Sequence, residues 1–218
     1  MGGGGNCDGV ARFLTGLTGK DRPRMLYIGT ASAENPREAL GMHDRFGGLA
    51  QVSRLEFFPW PPENLRSTVL DQDLIFVGGG NSANMLAIWR LHGVVELLRE
   101  ALDAGIVLSG SSAGGLVWFE SGVTDSFGPQ LERTDYLGFL AGSFCPHWND
   151  EPQRRPRYHE LLKEGALPAG YAADAKVGMR FVNGELQEVV ACDEGTGAYR
   201  LELRDGEVVE EPIEARVL

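Results

Sequence analysis

The stretch IVLSGSSAG at residues 106–114 decides the fold. It opens with a short apolar run, which predicts a buried strand, and a helical pattern follows it. Between the two, residues 110–114 match G-x-S-x-G, the nucleophile elbow, in the strand–turn–helix context that this motif requires. Small residues on both sides of Ser112 let the backbone turn sharply. The motif therefore predicts that the Ser112 hydroxyl is exposed as a nucleophile at the carboxyl end of a sheet, whereas Ser111 points away.

The rest of the chain alternates between strand patterns and helical patterns. Strand patterns lie at residues 24–29, 53–58, 73–77 and 106–109. Helical patterns lie at residues 35–51 and in a segment where Leu91, Val94, Val95 and Leu98 share one helix face. Such alternation predicts a parallel sheet covered by helices on both faces.

The last third of the chain has a different pattern. Residues 176–190 and 199–209 alternate between apolar and polar side chains, and each segment contains an Asn-Gly or Asp-Gly turn. These signals predict antiparallel hairpins. We therefore expect a single α/β domain over residues 1–218, with three layers, a mostly parallel sheet and hairpins in the C-terminal third.

Composition excludes several classes of function. The chain has 20 Lys and Arg against 31 Asp and Glu, a formal net charge of −11, and no basic run. It is therefore a poor partner for nucleic acid or an anionic membrane surface. It contains neither an apolar stretch of about 18 residues that would span a membrane nor a secretory signal pattern. We expect a cytoplasmic protein.

Three cysteines, Cys7, Cys145 and Cys192, lie far apart in the sequence and lack CxxC spacing. They are predicted to be free thiols in a reducing compartment. Near Cys7, a run of glycines occupies residues 2–5. Such a run normally follows a strand, so residues 1–8 are either disordered or the remainder of a truncated first strand.

A serine hydroxyl needs a base to accept its proton, and His147 is the best-placed histidine. It follows a predicted strand at residues 140–145, and Pro146 blocks that strand from continuing. The imidazole is thus expected at a strand end, on the edge where ligands bind in open α/β sheets. The other histidines, His43, His92 and His159, lie in helical patterns and are expected to be ordinary side chains.

The third member of a triad would be a carboxylate that orients the imidazole. Asp125 lies between Ser112 and His147 in the sequence, in a segment bounded by glycines. Other acidic residues remain open for this role: Glu120, Glu132, Asp135 and Asp174.

A second glycine cluster, GGGN at residues 78–81, follows the predicted strand at 73–77. Consecutive glycines let the backbone approach a substrate and direct N–H groups toward it. A phosphate-binding loop is excluded, because neither a Gly-Lys-Ser/Thr ending nor a G-x-G-x-x-G pattern is present. We interpret the cluster as half of an oxyanion hole, with the Ala113 N–H as the other half.

Together, residues 78–81, 109–115 and 146–147 resemble the motifs of the aspartyl dipeptidase (peptidase E) and cyanophycinase family of serine peptidases. The resemblance covers roughly residues 20–195 and implies the fold of class I glutamine amidotransferase domains. It implies Ser112 as nucleophile, His147 as base and Asp125 as acid. It also implies an oxyanion hole formed by Gly79 or Gly80 together with Ala113. No metal or other cofactor is expected.

Residues 148–159 depart from the well-studied dipeptidases, so Asp-X specificity does not carry over. This segment contains Arg154, Arg155 and Arg157. They suggest a clamp for a substrate carboxylate, because a guanidinium binds carboxylate bidentately. A solvated basic turn is the other interpretation. Arg180 is a further candidate for the clamp, and Asn81 is a candidate for substrate contact.

These observations predict a serine peptidase that cleaves short peptides through an acyl-enzyme. A small peptide substrate is the expected partner, and a homodimer is left open. A glutaminase of the amidotransferase type would need a cysteine nucleophile, and Cys145 and Cys192 lie outside any elbow. A catalytically silent binding module of the same fold is the alternative from another class.

Overall fold

A computed structural model describes residues 1–4 and 7–218 of the protein. The described chain divides into two units, one of residues 8–114 and one of residues 1–7 with 115–218. A single domain over residues 1–218 stays a prediction.

The unit of residues 8–114 contains a four-stranded parallel sheet. Its strands are β1 (Arg24–Ile28), β2 (Gln51–Leu55), β3 (Leu74–Val77) and β4 (Val107–Gly110), and its helices are α1 (Asp8–Gly16), α2 (Pro36–Phe46), α3 (Leu65–Leu70), α4 (Ser82–His92) and α5 (Val94–Asp103). The strand order is β2-β1-β3-β4. Every residue of β3 is buried, as expected for an inner strand with both faces covered. The predicted parallel sheet is therefore confirmed.

Two boundaries in this unit differ from the prediction. The predicted strand at 53–58 ends at Leu55, and the backbone N–H groups of Phe57 and Phe58 donate to the Glu34 carboxylate instead of a neighbouring strand. The predicted helical face from Leu91 onward is interrupted at Gly93, where φ is +70° and α4 gives way to α5.

The unit of residues 1–7 with 115–218 contains two sheets and one long helix. After the short helix α6 (Ala113–Leu116) come β5 (Phe119–Thr124), β6 (Glu132–Asp135), β7 (Leu140–Cys145), α7 (Arg154–Lys163), β8 (Gly170–Ala173), β9 (Val177–Val182), β10 (Glu185–Ala191), β11 (Ala198–Arg204), β12 (Glu207–Ile213) and β13 (Arg216–Val217). The larger sheet has the order β12-β11-β8-β7-β5-β6, and the smaller has the order β13-β10-β9.

Parallel and antiparallel pairs are divided as the sequence predicts, with two exceptions: β5 pairs antiparallel with β6 before the C-terminal third, and β10 pairs in parallel with β13 within it. β5 pairs in parallel with β7, and β7 with β8. β9 with β10 and β11 with β12 are antiparallel hairpins. In both turns the two residues before the second strand have positive φ, at 183–184 and 205–206, which is the geometry that Asn-Gly and Asp-Gly favour. The α/β class and the C-terminal antiparallel strands are confirmed.

The prediction of three free thiols is wrong for two of the cysteines. Cys7 and Cys192 form a disulfide with their Cα atoms 6.2 Å apart, although 185 positions separate them in the sequence. Cys145 is free and buried, and burial raises the pKa of its thiol to about 12. Sequence spacing alone carries no signal for a pairing over this separation.

For residues 1–8, disorder or the remainder of a truncated first strand stays a prediction. Residues 1–4 form no strand, yet Gly2 and Gly3 are buried, and Asp8 begins a helix. Residues 5 and 6 of the predicted segment lie outside the described residues. Within residues 1–4 and 7–218, none of the helices combines the length and the apolarity that crossing a membrane requires.

Candidate active site

Ser112 lies at the tip of a sharp turn between β4 and α6. Its φ is +56°, in the left-handed region that residues other than glycine rarely adopt. The glycines on both sides are required by close backbone packing. A Cβ added at Gly110 would overlap the Gly114 carbonyl oxygen, and one added at Gly114 would overlap the Val77 carbonyl oxygen. The G-x-S-x-G pattern is thus explained by strand–turn packing that forces the serine into a strained, outward conformation.

The glycine loop at residues 78–81 lies directly against this serine. β3 and β4 are parallel neighbours, with Val77 paired to Gly110, so both loops leave the sheet at the same edge. A Cβ added at Gly79 would lie 3.2 Å from the Ser112 Cβ and 3.8 Å from its hydroxyl oxygen. Gly80 has a φ of +131°, which brings its Cα close to the Ala31 carbonyl. The structure therefore brings the predicted nucleophile and the predicted oxyanion loop together.

Asn81, predicted to contact substrate, has a structural role in this loop. Its side-chain oxygen accepts the Asn84 N–H at 2.8 Å and caps the start of α4. Its own N–H donates to the Ala31 carbonyl at 2.8 Å. Asparagine is a favoured N-cap because its oxygen satisfies one of the free N–H groups of the first turn. Asn81 thus fixes the end of the glycine loop.

His147 follows β7, and carboxylates face one side of its ring. Its φ is +59°. Its Nδ1 lies 3.2 and 3.3 Å from the two carboxylate oxygens of Asp150, and 3.6 Å from Oε1 of Glu151. A carboxylate on Nδ1 favours the tautomer that carries its proton there, which leaves Nε2 able to accept a proton. This is the arrangement that a general base needs.

Asp150 and Glu151 were missed by the sequence analysis, whose candidate acids were Asp125, Glu120, Glu132, Asp135 and Asp174. Three and four positions after His147, they reach back to the ring in a single turn. The spacing H-x-x-D-E was the available signal, although it acquires meaning only once the backbone is known to turn at His147. The acid that the structure places against Nδ1 is Asp150.

Asp125 and Asp174 directly follow β5 and β8, the two strands that pair with β7, and His147 follows β7. Asp125 is exposed. Asp174 is buried, accepts the Gly197 N–H at 3.0 Å, and has a raised pKa because of burial. The predicted assignment of Asp125 as the acid stays a prediction.

The remaining candidate acids have other contacts. Glu120 accepts the Gly142 N–H at 2.8 Å, and Asp135 pairs with Arg133 across an exposed strand. Glu132 lies on the same strand, β6, which is at the edge of its sheet. None of these observations connects the three residues with the imidazole.

The arginines predicted to form a clamp take part in ion pairs within their own unit, and the clamp stays a prediction. Arg154 is 4% exposed. Its Nε donates to Glu151 at 2.7 Å, and its Nη1 donates to the Val123 carbonyl at 3.2 Å. It therefore supports Glu151, one of the two carboxylates beside His147.

The other arginines also pair with carboxylates of their own unit. These pairs are Arg155 with Glu210, Arg157 with Glu160, and Arg180 with Glu188. In addition, Arg155 stacks over the Trp148 ring at 5.3 Å. In a chain with 31 acidic residues against 20 basic ones, a guanidinium readily finds an internal partner. The clamp is therefore not carried into the function proposed below.

Comparisons with known proteins identify the family of the chain. Residues 1–189 match peptidase family S51. The chain is 39% identical over 224 residues to the uncharacterized peptidase YgaJ of Bacillus subtilis, covering 100% of this chain and 97% of that protein. It is 33% identical to peptidase E of Shewanella denitrificans over 155 residues, covering 70% of this chain and 61% of that one.

Solved structures share the fold. A peptidase from an acI-B1 Actinobacterium superimposes with a TM-score of 0.73 at 18% identity, covering 99% of this chain and 92% of the other. A putative peptidase E from Listeria monocytogenes EGD-e gives a TM-score of 0.59 at 16% identity, covering 98% and 96%. Because the family model matches residues 1–189, which are most of the chain, this chain belongs to peptidase family S51, a family of serine peptidases.

Proposed function

We propose that this protein hydrolyses short, dipeptide-sized peptides through an acyl-enzyme on Ser112. The observation that carries the proposal is the strained serine at the tip of the elbow, packed against a glycine loop, in a chain of family S51. The peptide size is suggested by the similarity to proteins named peptidase E. No preference for acidic or free-carboxylate peptides is included, because the predicted arginines are paired internally.

The proposed reaction has two stages. The Ser112 oxygen attacks the scissile carbonyl carbon while His147 Nε2 accepts its proton, and N–H groups of Gly79 or Gly80 and of Ala113 stabilise the resulting oxyanion. The C–N bond then breaks, and the amine leaves with the proton from the imidazolium. Water, deprotonated by the same imidazole, attacks the ester carbonyl and releases Ser112.

Covalent labelling by a fluorophosphonate tests the nucleophile directly. We expect one phosphonyl group per chain, and peptide mapping by mass spectrometry should locate it on Ser112. Ser111 provides an internal control because it lies one residue away and is buried. Labelling on Ser111 would contradict the proposal and move the nucleophile by one residue, whereas no labelling at all would favour a silent binding module of the same fold. A dipeptide and tripeptide library then measures substrate size.

The orienting acid is tested by a matched pair of substitutions. We expect Asp150→Asn to lower kcat by about 10²-fold or more, because the carboxylate that holds Nδ1 of His147 is replaced by a neutral amide. Asp125→Asn, the same change one strand away, should lower kcat by much less. Steady-state kinetics on one good dipeptide measures both. A larger loss in Asp125→Asn would return the role to Asp125, as the sequence predicts.

A further inference from the structure

We propose that Gly3 positions the imidazole of His147, and that the Cys7–Cys192 disulfide tethers Gly3 in place. Neither role belongs to the reaction described above, although the inference rests on the proposed role of His147 as the base. Three observations support it: the contact between Gly3 and the ring, the hydrogen bonds of the N-terminal residues, and the disulfide.

Gly3 packs directly on the imidazole. A Cβ added at Gly3 would overlap Cε1 of His147 and would lie 2.7 Å from both Nδ1 and Nε2. The ring is therefore approached so closely by backbone that no side chain larger than hydrogen fits between them. Next to it, the Gly2 carbonyl accepts the backbone N–H of His147 at 2.6 Å. These contacts fix both the ring and the main chain of the histidine.

The contact restricts how the ring can turn. Asp150 holds Nδ1 from one side but is 48% exposed, so this pair alone is open to competition from water. Gly3 lies against the ring itself, and the side chain of His147 is only 17% exposed. A general base must keep its nitrogen within about 0.5 Å of the productive position, which rigid packing achieves better than one exposed ion pair. We therefore assign Gly3 a positioning role.

Backbone hydrogen bonds join Gly2 and Gly3 to residues at the start of β9. The Gly2 N–H donates to the Val177 carbonyl at 2.9 Å, and the Lys176 N–H donates to the Gly3 carbonyl at 2.8 Å. With the bond from the His147 N–H to the Gly2 carbonyl, three backbone hydrogen bonds hold Gly2 and Gly3 in place.

The Cys7–Cys192 disulfide adds a covalent restraint to the same N-terminal segment. Cys7 lies four residues after Gly3, so their Cα atoms are at most about 14 Å apart. Its partner Cys192 donates its N–H to the Lys176 carbonyl at 3.3 Å, and Lys176 is the residue that binds Gly3. The disulfide therefore joins the N-terminal residues to the backbone that they pack on. Breaking it should let Gly3 leave the histidine.

The positioning role is tested by Gly3→Ala with Gly4→Ala as its control. Both glycines have positive φ, +124° and +60°, so both alanines are strained. The Cβ at Gly4, however, would meet Cγ of Lys176 at 3.2 Å, the flexible part of a side chain, rather than the imidazole. We expect Gly3→Ala to lower kcat and the rate of phosphonate labelling by about 10²-fold with KM nearly unchanged. Gly4→Ala should remain within a few-fold of the parent protein.

A spectroscopic readout separates positioning from loss of structure. The Cε1–H resonance of His147 should shift in Gly3→Ala and keep its position in Gly4→Ala, while the remaining histidine resonances stay in place. An unchanged His147 resonance in Gly3→Ala would overturn the positioning role. This measurement needs no substrate, so it remains decisive even when the proposed peptidase activity is not found.

The tether is tested on the unmodified protein with dithiothreitol. The dithiol transfers two electrons and two protons: the Sγ–Sγ bond breaks, Cys7 and Cys192 become thiols, and the reagent closes to its cyclic disulfide. We expect labelling to slow and the His147 resonance to shift, and both should recover on reoxidation with oxidised glutathione. Cys7→Ser should behave as the reduced protein does and should not respond to the dithiol.

Reduction with dithiothreitol tests the tether even if Gly3→Ala does not fold, because reduction changes no side chain near the imidazole. Equal labelling rates and equal His147 resonances in the oxidised protein, the reduced protein and Cys7→Ser would overturn the tether. A failure of the proposed function looks different, because the oxidised parent protein itself would then not be labelled at Ser112.

Discussion

Replacing Ser112 by alanine is expected to abolish peptide hydrolysis while leaving the fold unchanged. The substitution removes one oxygen and keeps the Cβ, so the elbow retains its packing and its strained φ of +56°. Loss of a triad nucleophile lowers kcat by about 10⁴-fold or more. Steady-state kinetics on a dipeptide substrate gives the loss, and thermal unfolding followed by circular dichroism shows whether stability is kept.

Ser111→Ala is the matched control for this change. It removes the same atom from the adjacent residue, whose side chain is buried away from the proposed chemistry. We expect Ser111→Ala to keep kcat within about tenfold, since this side chain takes no part in bond making. Activity of Ser112→Ala within tenfold of the parent protein would move the nucleophile elsewhere in the chain.

The elbow and the sheet could be predicted because local patterns determine them. Apolar runs at residues 73–77 and 106–109 correspond to strands, and the glycines at 110 and 114 belong to a local motif that is read directly from the sequence. Such features depend on near neighbours in the sequence or on simple burial. The position of His147 after a strand was predictable for the same reason, since Pro146 ends β7.

The partners of His147 could not be predicted, because they depend on backbone geometry and on distant residues. Asp150 reaches Nδ1 only because the chain turns at His147 with a φ of +59°. Gly3 reaches the ring from 144 positions earlier in the sequence. The Cys7–Cys192 pair likewise closes over 185 residues. No periodicity records these contacts, since each requires the sheet to be in place first.

The arginines show a different limit of sequence reasoning. A cluster such as Arg154, Arg155 and Arg157 is consistent equally with a ligand clamp and with internal ion pairs. The structure distinguishes them through contacts such as the one between Arg155 and Glu210, whose positions are 55 residues apart in the sequence. In the sequence, the excess of acidic over basic residues was the one indication that favoured internal ion pairs over a clamp.

His147→Ala is expected to lower kcat as much as Ser112→Ala does. A serine hydroxyl is a weak nucleophile when no base accepts its proton, so kcat should fall by about 10⁴-fold, and phosphonate labelling of Ser112 should slow in parallel. His159→Ala is the control: His159 lies in α7 and contacts Glu210 at 2.6 Å. It carries the same imidazole in a structural role and should leave kcat within a few-fold of the parent value.

The double variant Ser112→Ala/His147→Ala then tests whether the two residues act as one unit. If His147 serves only to take the Ser112 proton and return it, nothing remains for it to do once the hydroxyl is gone. The double variant should therefore be no slower than Ser112→Ala alone, within a factor of about three. Independent contributions would instead multiply, giving a loss of about 10⁸-fold, which is below detection in a peptidase assay. Residual activity that is measurable in Ser112→Ala and disappears in the double variant would thus show that His147 acts on the substrate by a route that does not involve Ser112.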